Sequence, residues 1–369
     1  MLIRHIFLLF LVIFVGSFCK SAMANEKLIF AIDVIRHGDR TPIINLPRSP
    51  YNWKQDKGEL SPLGMQQEFQ LGRQFNKRYI QTHFLPLHYN SQLMYVRSSD
   101  FNRTLMSAES VLLGLYPLGS GLKLPHSNRF ALPGAYQPIP IHTLPMNEDD
   151  VLITDSNKPL YYSLLHDYLT QQPTWQALNQ NIEFQLPHLT QITGYPFKDT
   201  QDFLLLSDHL LIRQLHHIPF PSEINNKEAN KIISEGKQLW ISPFYSSSIT
   251  HVLSYKLIKQ IQDYIDQSTS PSPSLLKYVL YSAHDSTVAS LAGALGHPVP
   301  WVPFSSDLAI LLYQLDNKHY QVRFYLNDQP LTIPACENKP FCSLEEFNQL
   351  AHLIESDGKA IADSYKKTS

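Results

Sequence analysis

The chain has 369 residues, with 30 Lys and Arg against 32 Asp and Glu, a formal net charge of −2 and three cysteines. That length allows a large core and more than one structural unit. Near-balanced charge, without a basic tail or interleaved basic and aromatic residues, argues against a nucleic-acid partner.

Residues 1–24 read as a signal peptide. Arg4 and His5 precede an apolar run from Ile6 to Val15, and Ala22-Met23-Ala24 puts small residues where a signal peptidase reads. The run is shorter than the roughly 20 residues of a membrane span, and no second apolar span follows, so no membrane anchor is expected. Phe18 is bulky where lipidation of Cys19 would need a small residue, which favours cleavage after Ala24. Loss of Arg4 and Lys20 takes the net charge from −2 to −4. The expected location is exported, periplasmic or secreted. The one glycosylation-type triplet, Asn102-Arg103-Thr104, falls inside the candidate site, which fits a bacterial exported protein better than a eukaryotic secretory one.

Leu28–Ile35, apolar except for Asp33, has the pattern of a buried strand. Directly after it come Arg36, His37, Gly38, Asp39 and Arg40. A histidine between two arginines suits core packing badly. It suits an oxyanion held against a nucleophile, because ligands of α/β sheets bind beyond the carboxyl ends of strands. Pro42 then stops regular structure. A nucleophilic His37 must be neutral, and cationic neighbours disfavour the imidazolium. Their planar forks also match phosphoryl oxygens. Taken alone, the stretch could equally be a salt-bridged surface loop.

Ser61 as N-cap and Pro62 at the first position open a helix through about Ile80, with Leu63, Phe69, Leu71, Phe75 and Tyr79 on its apolar face. Leu93–Arg97 reads as a strand and Thr104–Leu115 as a helix. Arg97 has the reading of an ion pair with Asp100 or a neighbour. The middle, 143–241, lacks strands and reads as an inserted helical cap, and Gln267–Ser274 reads as a surface linker. Leu275–Ala283 is a strand ending at His284 and Asp285, followed by a helix of small residues through about Leu295. Ala309–Leu315 and Tyr320–Leu326 read as paired strands joined at Asp316-Asn317-Lys318. The expected architecture is α/β, a mixed central sheet flanked by helices with an inserted, mostly helical cap. Its discontinuous core is 25–142 and 242–350, with a C-terminal tail at 351–369.

After cleavage Cys336 and Cys342 remain. In an exported protein so close a pair is most simply a disulfide, with two free thiols as the alternative. Metal binding has little support: two soft ligands lack a histidine cluster at ligand spacing, and no HExxH occurs. The remaining histidines, including His216-His217, read as ordinary. Gly is only 14 residues, and no nucleotide-binding glycine loop is present.

Arg36-His37-Gly38-Asp39-Arg40-Thr41-Pro42 resembles the RHGxRxP signature of the histidine acid phosphatases, which include prostatic and lysosomal acid phosphatases and phytases. Met94–Thr104 resembles their second phosphate-binding segment, and Ser282–Thr287 their late HD motif. The three occur in the family's order, over a likeness from about Leu28 to Phe347. The resemblance implies phosphate monoester hydrolysis through a phosphohistidine on His37. Arg36, Arg40, Arg103 and His284 would bind the phosphoryl group, and Asp285 would protonate the leaving alcohol. Neither metal nor cofactor is implied; substrates are small phosphomonoesters. A phytase is the alternative within the family, but Ser286 and Thr287 follow the HD pair where phytases commonly carry Asn or Ala. The other alternative, an inactive phosphate-binding relative, would lack one of His37, Arg103 or Asp285. Tyr136–Pro145 resembles the dimer-forming region of the mammalian enzymes, with Tyr136 in place of a larger aromatic. The corresponding expectation is a homodimer weaker than theirs, or none.

Overall fold

The computed structural model describes residues 26–154, 158–315 and 319–366. The expected leader and the turn at 316–318 lie outside them. Strand β1 (Lys27–Arg36) runs through the middle of the sheet and is buried from Phe30 onward. Burial on both faces accounts for its near-continuous apolar sequence. Ala31 and Ile35 pack on one face with Leu71, Phe75 and Val111; Phe30, Ile32 and Val34 pack on the other with Ile258, Val288 and Ile354. The period of two is that of a pleated strand.

Ser61 caps α1 (Pro62–Phe75) by accepting from the Gly64 N–H. A π-helical turn, Asn76–Ile80, carries the helix to its expected end. Strand β2 (Met94–Ser98) leads into α2 (Asn102–Leu115), which covers the first face together with α1. Four helices follow: α3 (Lys158–Leu169), α4 (Pro173–Thr193), α5 (Thr200–Leu215) and α6 (Asn226–Ile241). The chain returns through α7 (Ser247–Thr269), β3 (Tyr278–Ala283) and α8 (Asp285–Ala294). It ends with β4 (Asp307–Gln314), β5 (Tyr320–Leu326), β6 (Gln329–Pro330), β7 (Phe341–Ser343) and α9 (Leu344–Lys366).

The strand order is β2-β3-β1-β4-β5-β6, with β7 beside β5. Strands β2, β3 and β1 are parallel, whereas β4 and β5 are antiparallel to their neighbours. The sheet is mixed, as expected. Helices α4, α5 and α6 form a cap with its own apolar cluster, including Ile182, Phe203, Leu210 and Ile232. Ile44 and Leu46, from the loop after Arg40, join it.

Packing divides the chain differently from the sequence-based boundaries. Within 143–241, Val151, Leu152, Leu164 and Leu165 bury with the sheet's second face rather than in the cap. Helix α7 reaches Thr269, into the expected linker. The expected tail is the continuation of α9, which buries Ala351, Ile354 and Ala362 at helical spacing against the main core. Cys336 and Cys342 are bonded, their Cα atoms 5.2 Å apart, and tie the turn at Pro334–Cys336 to β7.

Candidate active site

Three parallel strands end side by side, and their register builds the site. Arg36 pairs with Ala283 across β1 and β3, so His37 and His284 follow as neighbours. The His37 N–H donates to the Ala283 carbonyl at 3.0 Å, and the two imidazoles lie edge to face, centroids 5.7 Å apart. On the other side, Ser98 pairs with Ser282, and the Ser99 N–H donates to the Ser282 carbonyl. The chain leaves His37 through Gly38, which lies backbone to backbone on the start of α1. A Cβ on Gly38 would sit 2.5 Å from the Gly64 carbonyl oxygen, so only glycine permits this path.

His37 is buried, and its Nδ1 lies 2.8 Å from the Gly38 carbonyl oxygen. A carbonyl can only accept, so Nδ1 carries the proton and the neutral ring keeps its lone pair on Nε2. Burial holds the His37 pKa well below the ordinary value, followed by the charges of Arg103, Arg36, His284 and Arg40. The arginines act in the expected direction, but burial is the larger cause. His284 is held down to about 3, again by burial first and then Arg103. Its Nε2 lies 2.9 Å from Ser99 Oγ, which in turn meets Thr104 Oγ1 at 2.9 Å and so orients the ring.

Arg36, His37, Arg40, Arg103, His284 and Asp285 all line one cavity of about 340 Å³. The three guanidinium groups arrive by different routes. Arg36 ends β1, lies 4.0 Å from the Phe304 ring centroid, and pairs with Asp285 at 2.8 Å. Arg40 is gripped at 2.9 and 3.2 Å by both oxygens of Asp208, from α5 of the cap. Arg103, in the first turn of α2, lies over Phe101 and pairs with no carboxylate among the described residues. Burial, and then Arg40, lower its pKa to about 10. The Nε of all three is buried without a partner. So much desolvated positive charge, with donors unsatisfied, is a site built for an anion.

Several neighbours were not legible in the sequence. Asp208 is one. His216, read as ordinary, sets its Nε2 2.5 Å from an oxygen of Asp39 and links the end of α5 to the loop after His37. Glu68, on the inner face of α1, is fully buried with neither carboxyl oxygen hydrogen-bonded. Burial pushes its pKa well above the carboxylate range, which the nearby Ser305 hydroxyl opposes only in part. Arg97 pairs with Asp149 at 2.5 Å rather than with Asp100. No group of three or more His, Cys, Asp or Glu able to hold a metal ion occurs among the described residues.

A histidine with a bare Nε2 beside clustered guanidiniums is an arrangement suited to holding a phosphoryl group against a nitrogen lone pair. The family model described as histidine phosphatase superfamily (branch 2) matches residues 27–327, and the chain belongs to that family. It is 32% identical over 347 residues to prostatic acid phosphatase of Bos taurus, covering 90% of this chain and 87% of that one. It is 30% identical to lysosomal acid phosphatase of Homo sapiens, covering 89% and 78% respectively. Among solved structures, the phytase of Citrobacter braakii aligns with a TM-score of 0.65 at 16% identity, over 90% of this chain and 99% of that one. The apo phytase of Hafnia alvei gives 0.65 at 15%, over 92% and 99%. At that identity the structural likeness concerns the fold.

Proposed function

We infer that this chain is an acid phosphatase, a phosphoric monoester hydrolase, and we propose a role for each group at the site. His37 Nε2 attacks phosphorus in line, forming a P–N bond as the bond to the ester oxygen breaks. Asp285 gives its proton to the departing oxygen. Water then attacks phosphorus, giving a proton to Asp285 as the P–N bond to His37 breaks, and inorganic phosphate leaves. Arg36, Arg40, Arg103 and His284 hold the phosphoryl oxygens, and the arginines supply the positive charge that the transition state needs. The observation that carries this reading is the Nδ1 contact to Gly38, which leaves Nε2 bare beside three guanidiniums.

Asp285 pairs with Arg36. A phosphoryl dianion that takes over Arg36 would release Asp285 towards the departing oxygen. The lowered pKa of His37, which keeps the ring neutral in acid, supports work in the acid range. The test is turnover of phosphomonoesters by the protein, assayed across pH with and without EDTA. Hydrolysis favoured in acid and indifferent to chelator is expected; loss on chelation, restored by a divalent ion, would contradict it.

We also propose export, with residues 1–24 removed. The disulfide, a bond that persists in oxidising compartments, supports this, and no described helix is long and apolar enough to cross a membrane. N-terminal sequencing of the cell-fractionated protein tests it: a retained leader or a cytosolic location would sink the proposal. A homodimer has its support in the exposed Leu118, Leu122, Leu132, Tyr136, Leu144 and Met146, an apolar surface around the 136–145 segment. Sedimentation across the micromolar range tests it, and a strict monomer throughout would contradict it.

A further inference from the structure

Beyond the phosphoryl-binding cluster the cavity wall comes mainly from α5 and α6 and mixes apolar residues such as Ile43, Leu204 and Leu211 with the hydroxyls of Thr154, Tyr161 and Ser207. One cation stands in that wall. Lys237, half-buried on α6, holds its Nζ 4.9 Å from the centroid of Trp301, and no carboxylate among the described residues is ion-paired with it. Trp301 is also 5.5 Å from the Arg36 guanidinium carbon, and Trp240 meets it edge to face at 5.4 Å. One indole is therefore in contact with both a cluster arginine and a lysine that lines the same cavity. Lys237 responds to the cluster: burial, and then the charge of Arg36, lower its pKa.

The cations around the cavity are not equally matched. Arg36 pairs with Asp285 and Arg40 with Asp208, and the buried Asp39 adds its charge to both arginines. Lys237 lines the same cavity with no ion-paired carboxylate among the described residues, so an anion at its end of the cavity would meet an ammonium that is not already paired.

We propose that Lys237, backed by Trp301, is a subsite for a second anionic group on the leaving-group side, so that the preferred substrates are phosphomonoesters carrying one further anion. This rests on the phosphatase reading above. A single lysine among apolar and hydroxyl residues suits one added carboxylate or phosphoryl group. It does not suit the many charges of a fully phosphorylated ring, which would meet Leu204, Leu205 and Asp208 unpaired.

The probes are 4-carboxyphenyl phosphate and its neutral isostere 4-carbamoylphenyl phosphate, compared at about pH 5.5, where the carboxylate is ionised. The wild type should favour the carboxylate ester in kcat/KM by roughly tenfold, the size of one partly buried charge-assisted contact. Lys237→Gln should bring the ratio of the two values close to unity, and Lys237→Arg should keep most of the preference. A wild type indifferent to the carboxylate would overturn the subsite, as would a Lys237→Gln variant that loses the same factor on both esters. If the wild type hydrolysed neither ester at any pH, the phosphatase reading itself would fall.

Discussion

At the scale of single residues, the proposed mechanism depends on keeping an imidazole neutral in acid. An ordinary histidine protonates near pH 6.5. Burial and three guanidiniums hold His37 well below that, and His284 at about 3. Followed by NMR in the free protein, the His37 ring should therefore stay neutral as pH falls through 6.5, and His284 should titrate near pH 3. A His37 midpoint near 6.5 would remove the basis for a nucleophile that works in acid. Asp285 has a separable role. Asp285→Asn should slow esters of poor leaving groups by ~10²–10⁴-fold, the usual worth of a general acid. Esters of good leaving groups, which need less protonation, should lose less. Equal losses on both would mean that the carboxylate serves chiefly to orient Arg36.

At the scale of elements, α1 carries a buried acid that matters for stability. Glu68 favours its neutral form in the folded protein, whereas in the unfolded chain it ionises near its ordinary value of 4.5. Its contribution is thus fully present below that pH and is lost as pH rises towards the folded value. Asp33 and Asp307, which share Nη1 of Arg78 at 3.1 and 3.2 Å, are likewise raised by burial and add a slope of the same sign. Glu68→Gln should therefore hold its Tm better than the wild type between acid and neutral pH. Parallel Tm curves for the two would contradict the argument. Glu68 was not legible in the sequence because the apolar stripe of α1 suggested a face through Leu63 and Phe69. The face that is buried includes Gly64, Glu68 and Gly72, where backbone approaches the loop after His37 and α2. The charge cluster at Arg36–Arg40 was legible because it interrupts an apolar strand at its carboxyl end. Asp208, His216 and Lys237 were not, since each sits in an ordinary amphipathic stretch and reaches the site only through folding of the cap.

At the scale of the whole molecule, the sheet ends carry the groups proposed for the chemistry, and α5 and α6 line the far side of the cavity. The two are joined through Arg40–Asp208 and Asp39–His216, both next to His37 in sequence. α9 helps to cover the second face because its apolar residues recur on one side. The central claim is that this frame turns His37 into a nucleophile through one defined nitrogen. Its most direct test is acid quench of the protein during turnover of a labelled phosphomonoester, followed by peptide mapping. The account predicts a phosphoryl group on Nε2 of His37, absent from His37→Ala, which should fold yet lose turnover to background. A label on Nδ1 or on another residue, or full turnover in His37→Ala, would contradict it.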